Sequence, residues 1–266
     1  MLDGKPLDEK LPLRSLFFGE GVFETFRWRS KPPVFLEKHI LRLKQGAEYL
    51  SIPFPGKRLI KGNLEKAVSV AEVDDNYVKI CLLSSGPLKF YKRALRSHIL
   101  VVVREYEPSR EYLRVNVAAT RRNSTSSLLW VKSINYLENV IARRVAEDRG
   151  YDESVFLNER GEVTEGSYTN IFWIRDDALI TPALECGLLP GITREALISL
   201  AKGLALKVEE GRFDLNDMLQ CTGAFLTNSL MGMSAIKEID KQKIPVDEEL
   251  FRKLRSSLFQ KLDWPT

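Results

Sequence analysis

A lysine at the point where a predicted strand is followed by a predicted helix is the first residue that could do chemistry. Lys132 follows the apolar run 128–131, which predicts a strand, and Asn135 is a candidate N-cap for the helix after it. Most lysines are solvated surface charges, and that interpretation stays open for Lys132 alone. The alternative is an amine on firm backbone that forms a Schiff base with an aldehyde. The apolar side of the predicted helix comprises Leu137, Val140, Ile141 and Val145.

A carboxylate in VTEGSYTN, residues 163–170, is the second candidate. Glu165 follows a short predicted strand and precedes Gly166, so it can be read as an ordinary acidic turn residue. If it faced a heteroaromatic nitrogen, it would keep that nitrogen protonated and make the ring an electron sink. The neighbours expected to orient it are Ser167, Thr169 and Asn170.

Two polar turns could bind an anion. In LLPGITREAL, Thr193 is a candidate N-cap for a helix that begins at Arg194, with Gly191 allowing close approach of the backbone. In FLTNSLMG, an apolar strand stops at the hydroxyls and amides of residues 227–229. An ordinary helix start and an ordinary polar turn are the alternatives.

An arginine on a predicted helix is a further candidate for anion binding. Arg42, in EKHILRLKQG, lies off the apolar stripe, and Gly46 one turn later would leave room for a ligand beside it. A solvated helix face is the alternative. The lysine, the carboxylate, the two turns and the arginine together meet the needs of pyridoxal phosphate, namely groups for its aldehyde, its ring nitrogen and its phosphate.

The elements that must position these residues alternate along the chain. Helices are predicted at 35–50, 58–73, 136–149 and 247–262, the last after Asp247 as N-cap, and near Thr193. Strands are predicted at 22–28, 77–83, 98–104, 113–119, 155–158, 163–164, 170–174 and 178–180. The polar stretch TRRNSTSS predicts a linker at 120–127, between a domain of residues 1–119 and one of residues 128–266. The predicted class is α+β with largely antiparallel sheets.

Composition narrows the function classes. The 266 residues are 44% hydrophobic and 29% charged, as in ordinary globular proteins, and the net charge of +4 does not argue for nucleic acid binding. Three dispersed cysteines and two histidines make a disulfide framework, a zinc cluster or a Ser-His-Asp triad hard to build. No apolar run is long enough to span a membrane, and the polar start MLDGKPLDEK has no signal core, so a cytoplasmic protein is expected.

The order of five motifs resembles that of the fold-type IV pyridoxal-phosphate enzymes. The motifs are HILRL, KSINYLE, VTEGSYTNIF, LLPGITR and TNSLMG, and the resemblance runs from residue 19 to residue 232. The group includes branched-chain aminotransferases, D-amino-acid aminotransferases and 4-amino-4-deoxychorismate lyases. The resemblance implies a smaller N-terminal α/β domain and a larger C-terminal domain with mainly antiparallel sheets. It also implies pyridoxal 5'-phosphate bound between the domains of a homodimer.

Roles for individual residues follow from the same resemblance. Lys132 is implied as the Schiff-base lysine and general base, Glu165 as the partner of the pyridine nitrogen, and Tyr136 as a hydrogen-bond partner of the cofactor's phenolic oxygen. The implied phosphate contacts are Arg42, Ile192 through its backbone, Thr193, Asn228 and Ser229.

Within that group, NSLMG, FETFR and K-S-I-N-x-L-E resemble the 4-amino-4-deoxychorismate lyases most. This implies elimination of pyruvate from an anionic small molecule to give 4-aminobenzoate. The candidate substrate contacts are Lys79, Arg27, Arg104 and Tyr106. The alternatives are an aminotransferase of branched-chain L-amino acids or D-amino acids with 2-oxoglutarate, and, from another class, a basic module without cofactor that binds nucleic acid or a partner.

Overall fold

The computed structural model describes residues 11–71 and 73–265 and divides into two compact units. The first unit contains the described residues up to Pro32, then Leu36–Tyr106 and Val131–Asn135. The second contains Pro33–Phe35, Glu107–Trp130 and the described residues from Tyr136 onward. The polar start, residues 1–10, lies outside the described residues. The predicted α+β class is confirmed.

The first unit is a three-stranded antiparallel sheet in the order β1-β2-β3 with helices packed against it. Its strands are β1 (Gly21–Trp28), β2 (Asn76–Ser85) and β3 (Arg96–Glu105), and its helices are α1 (Leu13–Phe18), α2 (Leu36–Tyr49) and α3 (Lys57–Ser69). In β1 every second side chain faces the core, because successive residues of a strand point to opposite faces. The core-facing set is Val22, Glu24, Phe26 and Trp28.

The second unit is built on a nine-stranded mixed sheet. Its strands are β4 (Tyr112–Val117), β5 (Glu153–Leu157), β6 (Val163–Gly166), β7 (Asn170–Arg175), β8 (Ala178–Pro182), β9 (Lys207–Gly211), β10 (Gly223–Asn228), β11 (Gly232–Ile239) and β12 (Gln242–Lys243). Its helices are α4 (Leu137–Asp148), α5 (Ile192–Gly203), α6 (Leu215–Leu219) and α7 (Glu248–Leu262).

Pairing between β10 and β7 closes part of that sheet into a ring. The sheet order runs β10-β11-β4-β5-β6-β7, and the additional β10–β7 ladder joins its two ends. Leu226 and Ala224 of β10 lie in one hydrophobic cluster, while Phe225 between them packs with α5 and α7 in another. Antiparallel pairs predominate, and the parallel ones are β4–β11, β4–β5 and β8–β9.

The division into units differs from the predicted domain boundaries. Strand β4 pairs with β5 and β11, so residues 107–119 belong to the second unit. Residues 120–127, predicted as a linker, pack onto the second sheet, since Arg122 is buried and its amide bonds to the Leu157 carbonyl. The prediction of a strand at 128–131 is wrong over its first residues, which form a 3-10 helix, Ser127–Trp130.

Two predicted helix caps are wrong. Helix α4 begins at Leu137 after Tyr136, and the Asn135 side chain instead donates to the Gly19 carbonyl at 2.8 Å. Helix α5 begins at Ile192 after Gly191, so Thr193 lies inside its first turn. The predicted N-cap of α7 is confirmed: Asp247 accepts a hydrogen bond from the Leu250 amide.

Much of the apolar side of α4 that the sequence indicates is exposed. Leu137 is 67% accessible and Ile141 49%, whereas the buried residues of this helix are Asn139, Ala142 and Ala146. Within the described chain, no helix combines the length and apolar character needed to cross a membrane, and no cluster of three metal-binding side chains occurs. The three cysteines are buried free thiols.

Candidate active site

Lys132 lies in the first unit, on a segment that pairs with the free side of β1. The Phe23 amide donates to the Lys132 carbonyl at 2.9 Å, and the Ile134 amide donates to the Gly21 carbonyl at 3.0 Å. An antiparallel bridge between Val22 and Ser133 lies between these bonds. The Lys132 carbonyl and the residues that follow it are therefore paired with β1, and this gives the side chain the firm backbone that a nucleophilic amine needs.

The amine of Lys132 lies over an aromatic ring that it shares with a second lysine. Lys132 Nζ is 4.6 Å from the centre of the Phe23 ring, and Lys79 Nζ, from β2, is 4.3 Å from it. Both distances are within the range of cation–π attraction. The Phe23 ring therefore brings the amines of Lys132 and Lys79 to one place in the first unit.

A buried charge cluster lies on the core side of β1. Glu24 accepts hydrogen bonds from Arg42 Nε and Nη2, each at 2.7 Å, and lies 2.7 Å from His39 Nδ1. Burial opposes ionisation of Glu24, but Arg42 and His39 outweigh it and lower the pKa of the carboxyl to about 2. Burial lowers the pKa of His39, so a neutral ring donates its Nδ1 proton to the carboxylate.

Arg42, predicted to contact a phosphate, is thus already oriented by a carboxylate. Its place on α2 follows from the spacing to His39, which puts both side chains over β1. The expectation that Gly46 leaves room for a ligand is wrong: a Cβ there would lie 3.1 Å from Val22 Cγ1 and 3.3 Å from Val131 Cγ1. Gly46 instead lets α2 approach the segment that carries Lys132.

Glu165 lies in the second unit, at the end of β6, and is 8% accessible. Its Oε2 accepts the Leu189 amide at 3.0 Å, and its Oε1 lies 3.6 Å from Arg122 Nη2. Arg122 is itself buried, pairs with Glu138 and lies 3.9 Å over the Phe156 ring. A carboxylate of this kind can accept a hydrogen bond from a protonated nitrogen.

The hydroxyls expected to orient Glu165 bind another carboxylate. Ser167 Oγ and Thr169 Oγ1 both donate to Glu153, a residue that the sequence analysis did not single out. Asn170 is tied to the Glu165 region in another way, since its Nδ2 donates to the Leu189 carbonyl at 3.0 Å while Glu165 binds the Leu189 amide.

Tyr136 precedes α4, and its hydroxyl donates to the Ser167 carbonyl at 3.0 Å. Asn139, one turn later, donates to the same carbonyl at 2.5 Å. A phenolic oxygen is a hydrogen-bond acceptor as well as a donor. The turn after Glu165 therefore determines where this hydroxyl lies.

The two polar turns meet at the start of α5. Thr193 Oγ1 lies 3.1 Å from Ser229 Oγ, and Asn228 Oδ1 accepts the amides of Leu230 and Met231. Gly191, the N-cap, has no side chain to satisfy the first amides of the helix. Among the described residues, the buried Thr227 Oγ1 has no hydrogen-bond partner. Unsatisfied helix amides with hydroxyls around them form a setting for an anion.

Strand register ties this anion setting to Glu165. On adjacent strands, Glu165 of β6 is opposite Asn170 of β7, and Asn170 is opposite Thr227 of β10. Two strand spacings therefore separate Glu165 from Thr227, roughly 10 Å. A Cβ on Gly191 would clash with Asn170 Oδ1, so the α5 start packs directly on the central strand of the three.

The candidate substrate contacts in the first unit already have partners. Arg27 forms an ion pair with Asp75 and lies 4.1 Å over the Tyr106 ring. Arg104 lies 4.1 Å over the Tyr77 ring. Of the four candidates, Lys79 is the one that the structure brings next to Lys132 and Phe23.

The sequence analysis missed Glu24, Arg122 and Glu153. One signal was available for Glu24, because it occupies a core-facing position in the alternation of VFETFRW, where a carboxylate needs a buried partner. Glu153 likewise opens the apolar run SVFL. Arg122 carries no signal, since it lies in a stretch whose composition is typical of a loop.

Comparison with known proteins identifies the family. The family model described as amino-transferase class IV matches residues 21–239. An aminodeoxychorismate lyase of Bacillus subtilis is 30% identical over 252 residues, covering 90% of this chain and 86% of the relative. A putative branched-chain-amino-acid aminotransferase of Methanocaldococcus jannaschii is 31% identical over 255 residues, covering 91% of this chain and 88% of the relative.

A solved structure gives the same result. The crystal structure of a putative 4-amino-4-deoxychorismate lyase from Legionella pneumophila superimposes with a TM-score of 0.88 at 31% identity, covering 92% of each chain. The match extends over nearly the whole chain, so both units are common to the two proteins. The chain is an enzyme that belongs to the class IV aminotransferase family.

Proposed function

We propose that this enzyme is a pyridoxal-phosphate-dependent 4-amino-4-deoxychorismate lyase, which releases pyruvate and forms 4-aminobenzoate. The observation that carries the proposal is the position of the Lys132 amine, which lies over the Phe23 ring of the FETFR motif while the Lys132 carbonyl accepts the Phe23 amide of β1. The lyase relatives at 30% and 31% identity support this choice within the family.

The donor groups present fit the cofactor. The unsatisfied amides at the start of α5, the Thr193 and Ser229 hydroxyls and the buried, unpartnered Thr227 hydroxyl suit a phosphate. Glu165, held beside Arg122, suits a protonated ring nitrogen. Arg42, Ile192 and Asn228 are the further proposed phosphate contacts, and Tyr136 is proposed to bind the phenolic oxygen. When bound, pyridoxal phosphate supplies an electron sink for the carbon that bears the substrate's amine.

Lys132 is proposed to carry the proton transfers. Its Nζ is the group that would hold the aldehyde of pyridoxal phosphate. The same amine is proposed to take the proton from the amine-bearing ring carbon of the substrate. Loss of that proton and of the neighbouring enolpyruvyl ether gives pyruvate and an aromatic ring, so the balance requires neither an oxidant nor an amino acceptor.

Basic side chains suit the two carboxylates of this substrate. Lys79 is the best placed of the candidates, because its amine shares the Phe23 ring with Lys132. Arg27, Arg104 and Tyr106 remain proposed contacts of lower rank, since each is engaged with a neighbouring aromatic ring or carboxylate.

A homodimer is part of the proposal. The exposed apolar side of α4 supports it, because Leu137, Ile141 and Val145 recur at helical spacing and lie on the surface of the described chain. Sedimentation equilibrium should give a mass near 61 kDa, about twice the 30.4 kDa of one chain. A single species at the monomer mass would exclude the dimer.

The second candidate is an aminotransferase of the same family, which the 31% identity to the Methanocaldococcus jannaschii relative favours. A paired assay separates the two. The lyase forms fluorescent 4-aminobenzoate from 4-amino-4-deoxychorismate without any 2-oxo acid. The aminotransferase consumes 2-oxoglutarate when given valine or D-alanine. Turnover in the second assay alone would reject the lyase proposal, and a protein without activity in either would reject both.

A further inference from the structure

Glu153, the first residue of β5, is a carboxylate with no accessible surface. Its Oε1 accepts the amides of Ser154 at 2.7 Å and Ser167 at 3.2 Å, and also the Ser167 hydroxyl. Its Oε2 accepts the Tyr168 amide at 3.4 Å and the Thr169 hydroxyl at 3.2 Å. Five donors therefore surround one buried side chain.

Four of those five donors belong to a single turn, residues 167–169 between β6 and β7. A Cβ on Gly166 would clash with Thr169 Oγ1 and would lie 3.1 Å from Glu153 Oε2, so the turn is wrapped closely around the carboxylate. Burial raises the pKa of Glu153, while the hydrogen bonds and the more distant Arg143 favour its ionised form. Burying a carboxylate has a large desolvation free energy, which hydrogen bonds to its oxygens must offset. The five donors around Glu153 provide those hydrogen bonds.

The turn has proposed cofactor residues on both sides. Glu165 directly precedes Gly166, and the carbonyl of Ser167 accepts the Tyr136 hydroxyl at 3.0 Å. Ser167 is held from two sides. Its amide and its hydroxyl donate to Glu153, while Tyr136 and Asn139 donate to its carbonyl. Displacing the turn would displace both proposed cofactor contacts.

We propose that Glu153 is a positioning residue, which holds the turn 166–169 and thereby fixes the Tyr136 hydroxyl and the Glu165 carboxylate. The inference rests on the proposed use of pyridoxal phosphate for its catalytic consequence, but its first step concerns the chain alone. Glu153 needs no contact with the cofactor. Its two carboxylate oxygens accept all five hydrogen bonds at once, and neither a water molecule nor a side-chain amide has the same set of acceptors in that position.

The substitution Glu153→Gln tests this, because it keeps the shape and replaces one acceptor oxygen with a donor that faces other donors. Glu159→Gln is the matched control: Glu159 also accepts an amide and a hydroxyl, both from Ser124, but lies on another turn. In the protein without cofactor, hydrogen exchange of a peptide spanning 166–169 should accelerate about tenfold or more in the first variant and stay unchanged in the control.

The second readout is the pH titration of the visible band in the protein loaded with pyridoxal phosphate. We expect Glu153→Gln to move its midpoint by more than about half a pH unit, as Tyr136→Phe does, and the double variant to move it no further. Faster exchange with an unmoved midpoint would reduce Glu153 to a structural residue and overturn the proposal. Unchanged exchange would overturn it at the first step.

Two outcomes remain to be separated. If Glu153→Gln does not fold, Ser167→Ala and Thr169→Val, which remove single donors and keep the carboxylate, must show smaller shifts of both readouts, and their absence would overturn the proposal. If the wild-type protein binds no pyridoxal phosphate, the proposed function fails. The exchange experiment then still decides whether Glu153 holds the turn.

Discussion

Arg42 meets Glu24 through two parallel hydrogen bonds, from Nε to Oε1 and from Nη2 to Oε2, each 2.7 Å long. This fork geometry is the strongest that an arginine and a carboxylate can form. Glu24 is buried, and Arg42 is nearly so. The proposed phosphate contact is therefore held rigid before any phosphate arrives.

Acid should destabilise the protein through this pair. The pKa of Glu24 is lowered from 4.5 to about 2, so its contribution is complete above pH 4.5 and is lost as the pH falls toward 2. The difference amounts to about 3 kcal/mol of unfolding free energy. Urea unfolding at pH 7, 4 and 3 should show that the free energy of unfolding falls more steeply with acid in the wild type than in Glu24→Gln. The variant should also be less stable than the wild type at pH 7. Parallel pH profiles would contradict this assignment.

Borohydride reduction of the loaded enzyme should fix the label on Lys132 and not on Lys79, although both amines lie near Phe23. The Lys132 carbonyl is bonded to β1, and this firm backbone suits Lys132 to be the nucleophile. Peptide mapping reads the result. Lys132→Ala should lower kcat by about 10³-fold or more with an unchanged circular dichroism spectrum. A label on Lys79, or normal turnover in Lys132→Ala, would assign the amine elsewhere.

Glu165→Gln should lower kcat by about 10²-fold, because a neutral amide no longer holds the ring nitrogen protonated. The variant can still accept the Leu189 amide, so the loop before α5 should stay in place. Glu138→Gln is the control, since it removes the other carboxylate of Arg122 and leaves Glu165 intact. Steady-state kinetics of 4-aminobenzoate formation compares them, and equal rates in the two variants would remove Glu165 from its role.

Thr193→Val and Ser229→Ala should each weaken pyridoxal phosphate binding about five- to tenfold, the typical effect of one hydrogen bond. The two hydroxyls lie 3.1 Å apart, so the double variant should lose less than the product of the single effects. Pyridoxal without phosphate, titrated by absorbance, is the control ligand and should bind all variants equally. A matching loss for pyridoxal would place these hydroxyls away from the phosphate.

Periodicity predicted the elements whose burial follows a single face. Strand β1 and helices α2 and α7 were predicted within two residues of their observed bounds, because each packs one regular apolar stripe against one layer. The bounds of helix α4 were also predicted within two residues, but its apolar pattern does not show which side packs against the sheet. Its larger apolar side lies at the surface and alanines face the sheet. A pattern along one chain does not tell which layer covers a face.

Lys132 and Glu165 became candidates through the order of the motifs that contain them, and their roles stay predictions that the experiments above address. Their supporting contacts were not predictable. Asn135 was assigned to the helix after it, but it binds Gly19, more than a hundred residues away. Ser167 and Thr169 were assigned to Glu165 because they follow it in sequence, whereas the carboxylate they bind, Glu153, reaches them through sheet pairing.

The ladder between β7 and β10 closes the ring of strands and also aligns Asn170 with Thr227. While the β7–β10 ladder is intact, Glu165 on one side of Asn170 and Thr227 on the other keep a fixed separation. Heating should therefore release a bound ligand only as the barrel itself melts, in one cooperative event, and loss of the ligand and loss of the sheet should follow a single thermal curve.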